Sequence, residues 1–89
     1  MAEGMRGSVK IKVCGLTSER DVNLAVAAGA DYFGFITYAK SPRAIPLEQA
    51  RELASRVPAG RAVVVDVASS PQQLSEYRDV GFVRFQLHA

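Results

Sequence analysis

The 89-residue sequence has little of what most metal and disulfide sites need: one cysteine, Cys14, and one histidine, His88. A single cysteine excludes an internal disulfide and any multi-cysteine metal site. A closed zinc site would then have to be completed by carboxylates. We therefore expect a reducing, cytoplasmic setting.

Long apolar runs and basic runs are missing as well. No stretch approaches the ~20 apolar residues of a membrane span, and the opening "MAEGMRGS" lacks the apolar core of a signal peptide. We expect residues 1–8 to be a disordered lead-in. The eleven Lys and Arg are scattered and the net charge is only +2, so neither nucleic acid nor a membrane is expected as a partner.

Strand and helix patterns alternate along the rest of the chain. Apolar patterning and turn residues predict four strands, at 9–14, 32–37, 61–67 and 82–88. Helices are predicted between them, starting near Thr17 or Ser18, at Pro46 and at Pro71. The order βαβαβαβ is typical of a parallel sheet, in a β/α barrel or a doubly wound fold. "CGLTSE" has one glycine where a dinucleotide fingerprint has three, which disfavours the doubly wound alternative.

Two of the strands have one polar face each. On the first strand this face holds Lys10, Lys12 and Cys14, and on the fourth it holds Arg84, Gln86 and His88. A barrel whose interior becomes polar toward a ligand site fits this pattern. The alternative is that both are edge strands with one face in water, and the pattern alone does not separate the two.

Several short motifs, in order, carry a resemblance to a known family. They are "KVCGLT" from Lys12, "GAD" from Gly29, "GFIT" from Gly34, "SPR" from Ser41, "LEQAREL" from Leu47 and the final "FQLHA". Together they resemble the N-terminal part of phosphoribosylanthranilate isomerase, a (β/α)8 barrel of tryptophan biosynthesis. The resemblance implies that residues 9–89 are the N-terminal half of such a barrel.

The family reaction is an Amadori rearrangement of a phosphosugar substrate, and it requires no cofactor and no metal. The resemblance implies that Cys14 is the general base, standing on the inward face at the mouth of the barrel. The pKa of a free thiol is near ~8.5, and a nearby cation lowers it. Lys12 shares the face and is expected to hold the thiol partly ionised. The competing interpretation is that Cys14 is a small buried apolar residue.

Two further residues match family positions that bind substrate. Arg43, in "SPR", is expected to meet the anthranilate carboxylate, since a guanidinium suits a planar carboxylate. His88 matches the histidine of the family's "QLHG". The alternative for Arg43 is a solvated loop charge, and the alternative for His88 is a residue without a role. Asp66 stands where the family has an aromatic residue. It is either a ligand-facing carboxylate or a simple charge at the end of a strand, and we favour the second interpretation.

Two functions from different classes remain. The first is the isomerase. The second is a catalytically incomplete half-barrel that self-associates through its open face, because no residue here matches the general acid and the phosphate site belongs to later strands. Another phosphosugar-binding barrel is disfavoured, because such barrels do not need a thiol base at "CGLT".

Overall fold

The computed structural model describes residues 9–67 and 70–88, and the expected lead-in at 1–8 lies outside them. Within these residues four strands alternate with three helices. They are β1 Lys12–Val13, α1 Glu19–Ala27, β2 Tyr32–Ile36, α2 Leu47–Ala54, β3 Ala62–Val67, α3 Pro71–Asp79 and β4 Arg84–His88. All pairings are parallel and the sheet order is β1-β2-β3-β4. The predicted α/β order is confirmed.

Helix α1 begins where the sequence predicted. Ser18 is its N-cap, and the hydroxyl of Ser18 accepts a hydrogen bond from Asp21 N at 3.1 Å. The Asp21 carboxylate does not complete a capping box on Ser18; it accepts instead from the backbone N and the hydroxyl of Thr17. Gly29 follows the C-cap and ends the helix, as predicted.

Helix α2 begins one residue later than predicted, with Pro46 as its N-cap and no side-chain capping bond. Ile45, just before this N-cap, is buried, and its backbone N donates to Ile36 O at 2.9 Å. Burial of an isoleucine side chain contributes about 2 kcal/mol, which offsets the absence of a side-chain cap worth about 1 kcal/mol.

The core lies between the helices and one face of the two central strands. Phe33, Phe35 and Val64 reach it from the sheet, and Val22 and Ala50 from α1 and α2. The apolar residues at helical spacing on α1 do not all face the core: Val22 and Ala25 are buried, whereas Val26 is 41% exposed.

The outer strands are shorter and more exposed than predicted. β1 is only two residues long. It begins after Ile11, because Ile11 N donates its hydrogen bond to the Asp31 carboxylate at 2.8 Å and not to a neighbouring strand. Val13 and Phe85 pack on the core, and Phe82, just before β4, is 2% exposed. The other apolar residues of the two predicted segments remain 42% to 68% exposed: Val9, Ile11, Val83 and Leu87. β1 and β4 are thus the edges of the described sheet.

No helix within the described residues is long and apolar enough to cross a membrane.

Candidate active site

Cys14 directly follows β1, at the edge where all four parallel strands end. The chain turns sharply after it, since Gly15 has φ +83°, in the left-handed region that favours glycine. Gly15 N and Leu16 N both donate to Gly34 O, at 3.0 and 3.1 Å. The turn is therefore fixed to β2 on both sides of its bend.

The thiol of Cys14 lies on the face of the sheet opposite the core. A β-carbon placed on Gly34 would be 3.2 Å from Cys14 Sγ, so that position and the thiol share one face. Phe33 and Phe35, on either side of Gly34, belong to the core on the other face. Cys14 is half-buried, so the side chain is neither in the core nor fully in solvent.

Arg43 lies directly over the Cys14–Gly15 turn. A β-carbon on Gly15 would be 2.6 Å from Arg43 Nη1 and 2.8 Å from Arg43 Cδ. The guanidinium donates to the carbonyl oxygen of Cys14, with Nη1 3.4 Å away. Arg43 remains exposed to solvent. Gly15 therefore makes room for a cation beside the thiol-bearing residue, and the exposed guanidinium can still meet an anionic ligand.

Lys12 and His88 lie farther from the thiol. Lys12 is two residues earlier, on the same face and exposed, with its Cα ~7 Å away at ordinary strand spacing. His88 ends β4 and is paired with Val67. β4 is three strands from β1, which is about 14 Å across a sheet. The structure thus brings Arg43 to Cys14, and His88 ends the strand at the other edge.

Two side chains missed by the sequence reasoning support this turn. Gln49 Nε2 donates to Thr17 O at 2.9 Å and ties α2 to the loop after Cys14. Ser41 Oγ accepts from Arg43 N at 3.2 Å and orders the loop that carries the arginine. No pattern in the sequence singles out Gln49, because its role depends on how α2 lies against the loop.

Asp66 is not part of this site. It is paired with Leu87 on the helix-facing side of the sheet, and the hydroxyl of Tyr77 donates to its carboxylate. The Tyr77 hydroxyl is also 3.1 Å from Thr37 Oγ1. Asp66 and Tyr77 are both 5% exposed. Asp66 is therefore a buried, hydrogen-bonded carboxylate. Both interpretations from the sequence, a ligand-facing carboxylate and a simple strand-end charge, are wrong.

A cavity of about 350 Å³ lies at the opposite end of the sheet, away from Cys14. Its apolar lining includes Ala62, which begins β3, and Phe82, which lies two residues before β4. Arg51 lines its rim. A hydrogen bond with Glu48 raises the pKa of this exposed guanidinium.

The described residues contain no cluster of His, Cys, Asp and Glu suited to a metal ion.

Comparison with known proteins agrees with this geometry. The family described as N-(5'-phosphoribosyl)anthranilate (PRA) isomerase matches residues 11–89. An isomerase of that name from Methanothermobacter marburgensis is 45% identical over 82 residues, 91% of this chain and 36% of its own length. The chain therefore spans little more than a third of that curated relative.

Solved structures show the same relation. One is a structure of monomers generated from the dimeric phosphoribosylanthranilate isomerase of Thermotoga maritima. Its sequence is 37% identical and its TM-score is 0.82, and the match covers 90% of this chain and 41% of that one. An isomerase in complex with reduced 1-(o-carboxyphenylamino)-1-deoxyribulose 5-phosphate is 35% identical with a TM-score of 0.82, over 90% and 42%. The four strands and three helices thus correspond to about half of a (β/α)8 barrel. The chain belongs to the N-(5'-phosphoribosyl)anthranilate isomerase family.

Proposed function

We propose that the half-barrel serves as the N-terminal part of a phosphoribosylanthranilate isomerase of tryptophan biosynthesis. Its reaction is the Amadori rearrangement of N-(5'-phosphoribosyl)anthranilate to the 1-deoxyribulose phosphate. The observation that carries the proposal is the pairing of Cys14 with Arg43 at the carboxyl edge of a parallel sheet, where β/α barrels hold their active sites.

Cys14 is proposed as the general base. An acid first protonates the furanose ring oxygen, and the ring opens to an iminium at the sugar C1. The thiolate then takes the proton from C2, and the C–H electrons form a C1–C2 double bond while the iminium becomes an enamine. Tautomerisation of this enol to a C2 carbonyl, with a proton returned to C1, gives the aminoketose. A general base of this kind contributes about 10²–10⁴-fold to a rate.

Substrate binding is proposed for Arg43, Lys12 and His88. Arg43 is exposed and lies against the backbone carbonyl of Cys14, so its guanidinium can take the anthranilate carboxylate while the sugar lies over Cys14. Lys12 supplies a second positive charge on the same face. His88 is proposed from its place at the end of β4 alone. The protein is proposed to act in the cytoplasm, without a cofactor.

The test is turnover by a chimera in which this chain replaces the matching N-terminal part of the Methanothermobacter relative. Loss of phosphoribosylanthranilate fluorescence reports the reaction. We expect Cys14→Ala to lower kcat by about 10²–10⁴-fold with little change in the urea midpoint. A large loss of stability with normal kcat would instead show that Cys14 is only a packed apolar residue.

The 89-residue chain alone is expected to be inactive. No residue in it matches the family's general acid, and the phosphate site of such barrels is formed after strands seven and eight. Turnover by the chain alone that disappears in Cys14→Ala would contradict this expectation and show that an assembly of the chain completes a site.

A second candidate function is self-association of a half-barrel without catalysis. The exposed apolar residues next to both edge strands favour it, above all Val83 before β4 at 68% and Val9 before β1 at 55% exposed. Sedimentation equilibrium of the 89-residue chain is expected to show a dimer that Val83→Asp dissociates. Leu24→Asp, on an exposed apolar position of α1, is the matched control. A monomer, or an equal effect of both substitutions, would contradict self-association through the edges.

A further inference from the structure

We propose that Gly34 is a positioning residue: its missing side chain reserves the space that holds the thiol of Cys14 in place. Gly34 is buried in the middle of β2. It is not among the glycines with positive φ, so its backbone is one that alanine adopts without strain. The need for glycine at this position is therefore one of space, not of backbone conformation.

The space is taken up by Cys14. A β-carbon on Gly34 would lie 3.2 Å from Cys14 Sγ, 3.2 Å from its Cα and 3.4 Å from its Cβ. Ordinary van der Waals contact begins at 3.4 Å. All three nearest atoms belong to Cys14, so a side chain at position 34 would press first on that residue.

Neither residue is free to move away. Gly34 O accepts from both Gly15 N and Leu16 N, which holds the turn after Cys14 against β2. On its other side Gly34 is paired with Val63 of β3. Because the backbone is held on both sides, the contact with Sγ would be relieved by rotation of the Cys14 side chain, and the contact with the Cys14 Cα by a shift of a few tenths of an ångström in the turn itself. Both adjustments move the thiol from its place.

The consequence for catalysis rests on the proposed function, in which the thiol removes a proton from the sugar. Proton transfer requires the base within hydrogen-bond reach of that proton. A methyl group against Sγ would both cover the thiol and turn it from this position. Gly34 therefore acts through Cys14, without touching substrate.

The experiment measures alkylation of Cys14 by iodoacetamide in the folded 89-residue chain, where it is the only thiol. We expect Gly34→Ala to slow alkylation at least about fivefold, because the methyl covers the sulfur. Gly81→Ala is the matched control: Gly81 has φ +106° and no atom within 4 Å of an added β-carbon. It introduces backbone strain without touching the thiol, and its alkylation rate is expected to stay at the parent value.

An unchanged rate in Gly34→Ala, or an equal change in both variants, would overturn the inference. Should Gly34→Ala not fold, the double variant Gly34→Ala/Cys14→Ala decides, because it removes the Sγ contact. Its urea midpoint is expected to exceed that of Gly34→Ala, and a midpoint no higher would overturn the inference. Alkylation needs no turnover, so failure here is distinguishable from failure of the proposed function. In the chimera, Gly34→Ala is expected to lower kcat about tenfold with a smaller change in KM.

Discussion

Replacing Tyr77 by phenylalanine removes one oxygen from a buried hydrogen-bond chain between α3 and the sheet. The hydroxyl donates to the Asp66 carboxylate and contacts Thr37 Oγ1, and both Tyr77 and Asp66 are 5% exposed. Phenylalanine keeps the ring and its stacking on Phe85, whose centroid is 6.2 Å away. The substitution therefore tests the hydroxyl alone.

The expected cost follows from the burial of the charge. A hydrogen bond to a charged group contributes about 1.5–3 kcal/mol, and removing a donor from a buried acceptor incurs its desolvation cost. We expect Tyr77→Phe to lower the free energy of unfolding by about 2 kcal/mol. Asp66→Val removes the buried carboxylate itself and leaves the tyrosine hydroxyl beside Thr37, but it also removes the acceptor of Val67 N at 2.7 Å. We therefore expect it to cost about 1 kcal/mol.

The double variant Tyr77→Phe/Asp66→Val is then expected to be more stable than Tyr77→Phe alone. Urea unfolding followed by far-ultraviolet circular dichroism measures all four proteins, with the slope m expected to stay constant. A cost below about 0.5 kcal/mol for Tyr77→Phe, or a double variant as unstable as the sum of the singles, would refute the assignment of a buried hydrogen bond from the Tyr77 hydroxyl to the Asp66 carboxylate.

Three further predictions concern the loops and caps. Arg43→Ala in the chimera should raise KM about 10–100-fold with a smaller effect on kcat, as expected for a lost charged hydrogen bond; an unchanged KM would remove Arg43 from the carboxylate site. Ser70→Ala should cost about 1 kcal/mol by removing the capping box of α3, whereas exposed Ser75→Ala in the same helix should cost less by urea unfolding. Gln49→Ala should speed amide exchange at Leu16 severalfold by releasing the loop after Cys14; equal protection would show that this tie is unimportant.

The order of strands and helices was predictable because each local signal agrees with the fold. Serine at position 18 and glycine at 29 mark the ends of α1, and the apolar run before Asp66 marks the central strand. The strand ends were less predictable. β1 is short because a distant carboxylate, Asp31, takes the hydrogen bond of Ile11 N, and such a contact leaves no periodic pattern in the sequence.

The candidate site was predictable only in part, and for a related reason. The family motifs locate Cys14 and Arg43, and the structure places the guanidinium on the turn that carries the thiol. The spaces that permit this contact, at Gly15 and Gly34, depend on distances between strands. Asp66 illustrates the limit most clearly, because its alternation on β3 does not reveal that Tyr77, eleven residues later, donates to it.

The proposed role of Cys14 is to take the proton from the sugar C2, and release of a label at C2 measures that step. The chimera is supplied with phosphoribosylanthranilate carrying tritium at C2, and tritium appearing in water is measured beside binding of the substrate. We expect rapid release by the parent chimera and at least about 100-fold slower release by Cys14→Ala, with binding retained. Release by Cys14→Ala within about twofold of the parent would contradict it, since a general base contributes far more than that.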